Sequence, residues 1–154
     1  MPRRSHYTIK RRGKESAIQT FGPKRDVEAI QRIWKHYGER MSAGDTEAYM
    51  SLWHQDGVQL PPDGPIVTGW EAIRAVIRDE NARLDFPVFD VQPQEIRITS
   101  DTTAFSWGKC AIHYVQKATG AATMLDVKFL TMLVKLPDGS WRIYRDCFNW
   151  IVQP

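Results

Sequence analysis

The last strand-like segment of the sequence carries the residue best suited to acid–base chemistry, Asp146. Strict alternation along residues 141–152 places it on one face together with Arg142, Tyr144, Phe148 and Trp150. If that face looks inward, the carboxyl group must be paired or functional, because burial penalises its charge and raises its pKa. Asp146 is therefore the candidate general base or ligand-orienting acid, and a salt bridge with Lys128 or Arg145 is the structural alternative.

Other titratable residues lie on or near the predicted strands. His113 is the only histidine in the middle of a strand-like segment, and it can act as an acid–base group if it faces inward; the opposite parity leaves it on the outer face. Asp126 and Lys128 share one face of the next segment, as a pocket dyad or as an ordinary cross-strand pair. In HQDG, His54 and Asp56 are typical of a helix end and a turn.

Aromatic residues and missing motifs narrow the chemistry further. The sequence has no HxH, HExxH or CxxC pattern, so no metal site is predicted. It also lacks GxGxxG, Walker A and GxSxG motifs, and we expect no cofactor. Four tryptophans either line a cavity for a flat apolar ligand or belong to the core: Trp34, Trp53, Trp107 and Trp150.

Positive charge is concentrated at the N-terminal end. The chain has a pI of about 8.9, yet residues 1–25 carry a net charge of +7 and the remainder carries −4. Residues 1–24 lack periodic apolar spacing and end at Gly22-Pro23, which predicts a loosely held basic arm before one domain of residues 25–154. The arm is predicted to be a solvated tail or a strap across a neighbouring subunit; a nucleic-acid contact is the less favoured alternative.

The sequence also bears on the cellular compartment. No apolar run approaches the roughly 18 residues that span a membrane, and no hydrophobic region follows the Arg3-Arg4 pair. Cys110 and Cys147 fall on predicted strands that a third strand separates, by about 9.5 Å, which exceeds disulfide reach. We therefore expect a cytoplasmic protein with no membrane partner.

The spacing of apolar residues predicts three helices followed by a long meander of strands. The helices are expected at 26–42, from the N-cap Asp45 to Trp53, and from a Thr68–Glu71 capping box to Arg83. A short strand at 58–60 is stopped by PPDGP, and four longer strands are expected at 86–98, 102–117, 123–136 and 141–152. This order predicts an α+β fold in which one curled, mostly antiparallel sheet wraps the helices and encloses a pocket.

Three stretches carry a resemblance to a known superfamily: IQRIWKHYGERMSAGDTEAYMSLWHQDGVQL, PDGPIVTGWEAIRAVI and KFLTMLVKLPDGSWRIYRDCFNW. They resemble the nuclear transport factor 2-like cone fold and, within it, the SnoaL-like and ketosteroid-isomerase-like proteins. The resemblance implies a cone with an internal pocket and turns Asp146, Phe148 and Trp150 inward. Dimers of this superfamily often pack through the sheet, so a homodimer is expected.

The resemblance also assigns roles by position. Tyr37 stands seven residues before the Gly44-Asp45 step, where the isomerases have a tyrosine that donates a hydrogen bond to an oxyanion. The two tyrosines that support it are replaced by Trp53 and Ile77, and the general base is replaced by Pro61. The second acid of those enzymes falls near Phe129 or Thr131, neither of which is a carboxylate, so steroid isomerisation by the familiar arrangement is not expected.

These observations predict a cofactor-independent enzyme, or an enzyme-like protein, that binds a small apolar ligand carrying a carbonyl, hydroxyl or epoxide. Asp146 would transfer protons and Tyr37 would donate a hydrogen bond, in an isomerisation, cyclisation, dehydration or hydrolysis. A non-catalytic ligand-binding or dimeric assembly module of the same fold is the alternative. The residues expected to contact the ligand are Trp34, Met41, Trp53, His113, Lys128, Phe148 and Trp150.

Overall fold

A computed structural model describes residues 17–153 of the chain. It contains three helices and seven strands, in the order β1 Gln19–Phe21, α1 Lys24–Ala43, α2 Thr46–Met50, β2 Trp53–Leu60, β3 Val67–Thr68, α3 Trp70–Arg83, β4 Leu84–Ile98, β5 Thr103–Gln116, β6 Ala122–Lys135 and β7 Trp141–Trp150. The predicted α+β class is confirmed, and the bounds of the four long strands agree with the prediction to within two residues.

All seven strands belong to one sheet, with the order β1-β4-β5-β6-β7-β2-β3. The central strands β4 to β7 are antiparallel neighbours, whereas β1 runs parallel to β4 and β2 runs parallel to β7. Register shifts interrupt β4 at two places, between Asp85 and Val88 and between Pro93 and Glu95. Because such irregularities bend a strand, the long sheet curves around the helices as the cone fold requires.

Helix α1 packs across the concave face of this sheet. Its buried residues recur at three- and four-residue steps, as the sequence predicted, and include Ile30, Trp34, Tyr37 and Met41. Gly38 allows the close approach to β4, since a Cβ atom at this position would lie 2.3 Å from the carbonyl oxygen of Phe89. The helix ends at Gly44, whose φ of 65° is the left-handed conformation typical of a helix C-terminus.

Two predicted boundaries are wrong. The second helix ends at Met50 and not at Trp53, because Trp53 already pairs with Ile143 as the first residue of β2. Thr68 belongs to β3 and forms no capping box. Gly69 is the residue before α3, and no side chain among residues 17–153 caps that helix. Within the segment predicted as a loose arm, residues 19–21 pair with β4, while residues 1–16 lie outside the described part of the chain.

Two further expectations concern the membrane and the thiols. Within residues 17–153, no helix is both long enough and apolar enough to cross a membrane. Cys110 lies on β5 and Cys147 on β7, with β6 between them, and both thiols are free.

Candidate functional site

The curved sheet and the helices enclose a cavity of about 330 Å³. This volume lies within the range of small-molecule sites in proteins. Its wall is mostly aromatic and aliphatic, with contributions from α1, α2, α3 and strands β2 and β4 to β7. Among residues 17–153, the acidic residues of the lining are Asp146 and Glu80, and no Lys, Arg or His lines it.

Asp146 is the most deeply buried carboxyl group of this cavity, with 3% of its surface exposed. Thr131 on β6 donates a hydrogen bond to its Oδ1 at 2.8 Å, and Tyr37 on α1 donates one to its Oδ2 at 3.3 Å. Burial raises the pKa of Asp146 to about 6, although both hydrogen bonds lower it. The group can therefore exchange protons near neutral pH. No salt bridge with Lys128 or Arg145 is formed within residues 17–153.

An irregularity in β7 lets Trp141 and Ile143 face the core on one side of it and Asp146 face the cavity on the other. Met132 pairs with Arg145, but the next residue of β6, Leu133, pairs with Ile143, so that Tyr144 has no partner on β6. This bulge breaks the strict alternation that the sequence analysis assumed. Trp141 and Ile143 are buried in the core, in place of the expected Arg142 and Tyr144, whereas the part of the face beyond the bulge is as expected.

Tyr37 reaches Asp146 from the helix side of the cavity. Burial is the largest cause of its raised pKa, and the neighbouring Tyr49 and the charge of Asp146 raise it further. The phenol therefore stays protonated and acts as a hydrogen-bond donor. The two residues predicted to carry chemistry thus share one cavity and contact each other directly, 109 positions apart in the sequence.

Tyr49 is a site residue that the sequence analysis missed. Its ring meets that of Tyr37 edge to face, with 4.9 Å between ring centroids, and none of its surface is exposed. Its hydroxyl group is buried beside the Tyr37 hydroxyl and the Trp53 indole, and within the described chain it makes no well-aligned hydrogen bond. The signal in the sequence was a phenol on the buried side of a short helix, because a buried hydroxyl group needs a hydrogen-bond partner.

Polar residues on the strands beside Asp146 were missed as well. Thr131 is fully buried, and Gln59, the partner of Asp146 on β2, is 5% exposed and lines the cavity. Thr131 stands between Phe129 and Leu133 on the inward face of β6, so a polar residue within an apolar stripe was the available signal. Pro61 lies beyond the end of β2 and outside the lining, and Gln59 is the polar residue that β2 places next to Asp146.

Four of the seven residues predicted to contact a ligand line the cavity: Trp34, Met41, Phe148 and Trp150. The Trp34 indole donates to the Ser106 hydroxyl at 3.1 Å, and that of Trp150 donates to the Asp63 carboxylate. These contacts hold two aromatic walls in fixed orientations.

The other three residues lie outside the lining. Trp53 is buried behind it, with its ring against Gly57. His113 and Lys128 have the outward parity of their strands, because Ile112 and Tyr114 on β5 and Val127 and Phe129 on β6 face the cavity. Asp126 is exposed on the same outer face as Lys128, so it forms no pocket dyad.

Trp107 does not line the cavity either. It is 39% exposed, and its indole donates a hydrogen bond to the Glu95 carboxylate at 2.6 Å. His54 and Asp56 lie within β2 and not in a turn, although a local contact joins them: the Asp56 amide donates to His54 Nδ1 at 2.9 Å.

Comparison with known proteins agrees with this architecture. Helices inside an open, curved sheet with an internal cavity define the nuclear transport factor 2-like fold. The family model described as a SnoaL-like domain matches residues 24–145, and the chain belongs to this family. A comparison with curated protein sequences found no match.

Several solved structures are similar to this chain. A ketosteroid isomerase-like protein from Erwinia carotovora atroseptica is 24% identical, with a TM-score of 0.77, covering 85% of this chain and 100% of its own. A protein from Novosphingobium aromaticivorans, proposed to be a scytalone dehydratase, is 17% identical, with a TM-score of 0.68 and coverages of 82% and 85%. A proposed dehydratase of the same fold from Streptomyces avermitilis is 18% identical, with a TM-score of 0.67 and coverages of 86% and 100%. At these identities the likeness establishes the fold.

Proposed function

We propose that this protein is a cofactor-independent enzyme that removes a proton from a small apolar carbonyl compound, with Asp146 as the general base. The observation that carries the proposal is a carboxyl group with a pKa of about 6, buried in an apolar cavity and held by Thr131 and Tyr37. Such a group is largely ionised at neutral pH, yet it is more basic than an exposed aspartate. Isomerisation, cyclisation and dehydration of carbonyl compounds can all begin with this proton transfer.

In the proposed step, an oxygen of Asp146 takes the proton from the carbon next to the carbonyl group. The electron pair of the broken C–H bond moves into the new C=C bond, and the carbonyl oxygen becomes an oxyanion. Gln59, which lies opposite Asp146 and lines the cavity, carries an amide N–H for that oxyanion.

Tyr37 serves both charge states of this step. While Asp146 is ionised, the phenol donates to its Oδ2. Once Asp146 has taken the proton, it attracts the phenol hydrogen much less, and the O–H group can rotate towards the oxyanion. In this step the negative charge moves from Asp146 to the ligand oxygen, and the Tyr37 hydrogen bond follows it. A hydrogen bond to the ligand that forms as the charge develops stabilises the transition state more than the ground state, and this difference accelerates the reaction.

The ring opening of 5-nitrobenzisoxazole tests this proposal without knowledge of the natural substrate, because the reaction needs one base that removes a proton from carbon in an apolar site. We expect kcat/KM to rise with pH, with a midpoint at about 6 set by the pKa of Asp146. Asp146→Asn should lower kcat/KM by about 100-fold or more, the usual contribution of a general base.

Asp126→Asn is the matched control, because Asp126 lies on the neighbouring strand β6 and is exposed on the outer face. It should leave both the rate and the pH midpoint unchanged. If Asp146→Asn reacts as fast as the unaltered protein, or if the profile shows no ionisation near pH 6, Asp146 is not the base.

The alternative role as a dimeric assembly module is favoured by the outer face of the sheet. Four large apolar side chains are exposed there at 39–79% of their surface: Trp107, Met124, Leu130 and Met132. A row of this kind on a soluble protein is typical of an interaction surface, and a second copy would cover it. We expect light scattering to show a dimer that Leu130→Glu dissociates, and a monomeric unaltered protein would refute the assembly.

A cytoplasmic location fits the two free thiols.

A further inference from the structure

The cavity contains a second carboxyl group, Glu80, which the proposed reaction does not use. Glu80 lies three residues after Ile77 on α3, and both side chains line the cavity. Within the described residues its carboxylate has no ion pair and no hydrogen bond, whereas the arginines of the same helix are engaged elsewhere: Arg74 and Arg78 with Glu47, and Arg83 with Asp79. An acidic side chain without a partner, on the apolar face of a helix, is costly unless a ligand satisfies it.

Both carboxyl groups act electrostatically on the buried hydroxyl group of Tyr49. The charges of Asp146 and Glu80 each raise the pKa of Tyr49, whereas the raised pKa of Asp146 comes from burial and not from Glu80. The two carboxyl groups therefore act as separate polar points of one cavity, and Tyr49 is near both.

The charge of the lining restricts the ligand further. The side chains of the lining that carry charge at neutral pH are the carboxylates of Asp146 and Glu80. In the part of the chain that the structure describes, no cationic side chain of the lining balances them. An anionic ligand would enter an apolar space that already holds negative charge. A protonated amine would instead meet a carboxylate and the aromatic faces of Phe86 and Tyr114, which also attract cations.

We propose that the cavity selects an apolar ligand that carries a basic nitrogen, whose ammonium group is bound by Glu80. The inference rests on the proposed function for the reacting end of the ligand, which lies at Asp146, and it adds a substrate class: carbonyl compounds with an amino group. Carboxylates of the same size are rejected.

The pH dependence of binding follows from the surroundings of Glu80. Burial raises its pKa to about 7; Asp79 on the same helix raises it further, and Arg83 lowers it. The titratable groups that share the cavity lining with it are Tyr37, Tyr49, Cys110, Tyr114 and Asp146. Lys117, at the end of β5, is held by Asp85 and by the Asn81 carbonyl oxygen. A bound cation favours the ionised carboxylate, so amine affinity rises as pH rises through about 7, and binding below this pH releases a proton.

Calorimetric titration of the full chain with three probes that share one ring system tests the inference: 2-naphthylmethylamine, 2-naphthalenemethanol and 2-naphthoate. At about pH 8 we expect the amine to bind at least about tenfold more tightly than the carboxylate. Glu80→Gln should weaken amine binding about tenfold and leave the alcohol unchanged, which also shows that the cavity is intact. Glu71→Gln is the matched control, because Glu71 is an exposed glutamate of the same helix.

The inference is overturned if the amine does not bind, if the carboxylate binds as tightly as the amine, or if Glu80→Gln keeps the preference for the amine. Failure of the proposed function has a different signature. In that case Asp146→Asn retains the ring-opening rate, whatever Glu80→Gln does to amine binding.

Discussion

Asp146 should make the protein less stable as the pH rises, and Asp146→Asn should remove this effect. The pKa of the carboxyl group is 3.8 in an unstructured chain and about 6 in the folded protein. Below pH 3.8 the group is protonated in both states and carries no penalty. As the pH rises from there to about 6, the unfolded chain ionises more readily than the folded one, so the free energy of unfolding falls.

The size of the effect follows from the shift. One pKa unit corresponds to about 1.4 kcal/mol, so the shift of roughly two units amounts to about 3 kcal/mol over the full range. Between about pH 4.5 and pH 8, some 2 kcal/mol of this should be visible. The asparagine keeps the shape of the side chain and can still bond Thr131 and Tyr37, but it does not ionise.

Urea denaturation of the unaltered protein and of Asp146→Asn at both pH values measures the difference. We expect the difference in free energy of unfolding between Asp146→Asn and the unaltered protein to shift in favour of Asp146→Asn by about 2 kcal/mol from the lower to the higher pH. Glu80 also titrates in this range, but it is present in both proteins and cancels in the comparison, since it does not contribute to the shift of Asp146. A stability difference that is the same at both pH values would refute the assignment of a raised pKa to Asp146.

Three further substitutions test the surroundings of the site. Thr131→Val removes the 2.8 Å hydrogen bond to Asp146, and we expect the midpoint of the pH–rate profile to rise by about one unit, since a hydrogen bond to a charged group contributes about 1.5–3 kcal/mol; an unchanged midpoint would contradict this. Tyr49→Phe removes a buried hydroxyl group without a well-aligned partner, so urea denaturation should show equal or slightly greater stability, by up to about 1 kcal/mol. A clear loss of stability would mean that Tyr37 or Trp53 forms a stabilising hydrogen bond with this hydroxyl. Gly38→Ala places a Cβ atom 2.3 Å from the Phe89 carbonyl oxygen and should lower stability by about 1–3 kcal/mol despite the better helix propensity of alanine, whereas Ser42→Ala on the exposed side of α1 should not.

The order of elements was predictable from the sequence because the signals were strong and local. Apolar spacing fixed α1, and alternation with clear turns fixed β5 to β7. The errors arose where tertiary pairing overrides local signals. Trp53 continues a helical pattern in the sequence, but its backbone hydrogen-bonds to a strand ninety positions away.

The site was predictable in part for the same reason. Asp146 and Tyr37 were identified from a charge among aromatics and from a resemblance in position, and the contact between them follows from the fold. The faces of His113 and Lys128 required a parity that local sequence leaves open. The bulge at Tyr144 was invisible because it depends on how β6 and β7 align. Glu80 and Thr131 are polar residues within apolar stripes, and this pattern was an available indication of site residues.

The contact between Tyr37 and Asp146 joins the first long helix to the last strand. The neighbouring bond from the Trp141 indole to Asp26 spans the same two elements, and β2 is flanked on one side by β7. During synthesis on the ribosome, the cavity therefore lacks one wall until the hairpin of β6 and β7 has formed. Until then the apolar lining of the cavity is exposed to water and prone to non-specific association. The proposed general base, Asp146, is also absent. Ligand binding therefore depends on the docking of β7, which supplies Asp146 and the last wall of the cavity.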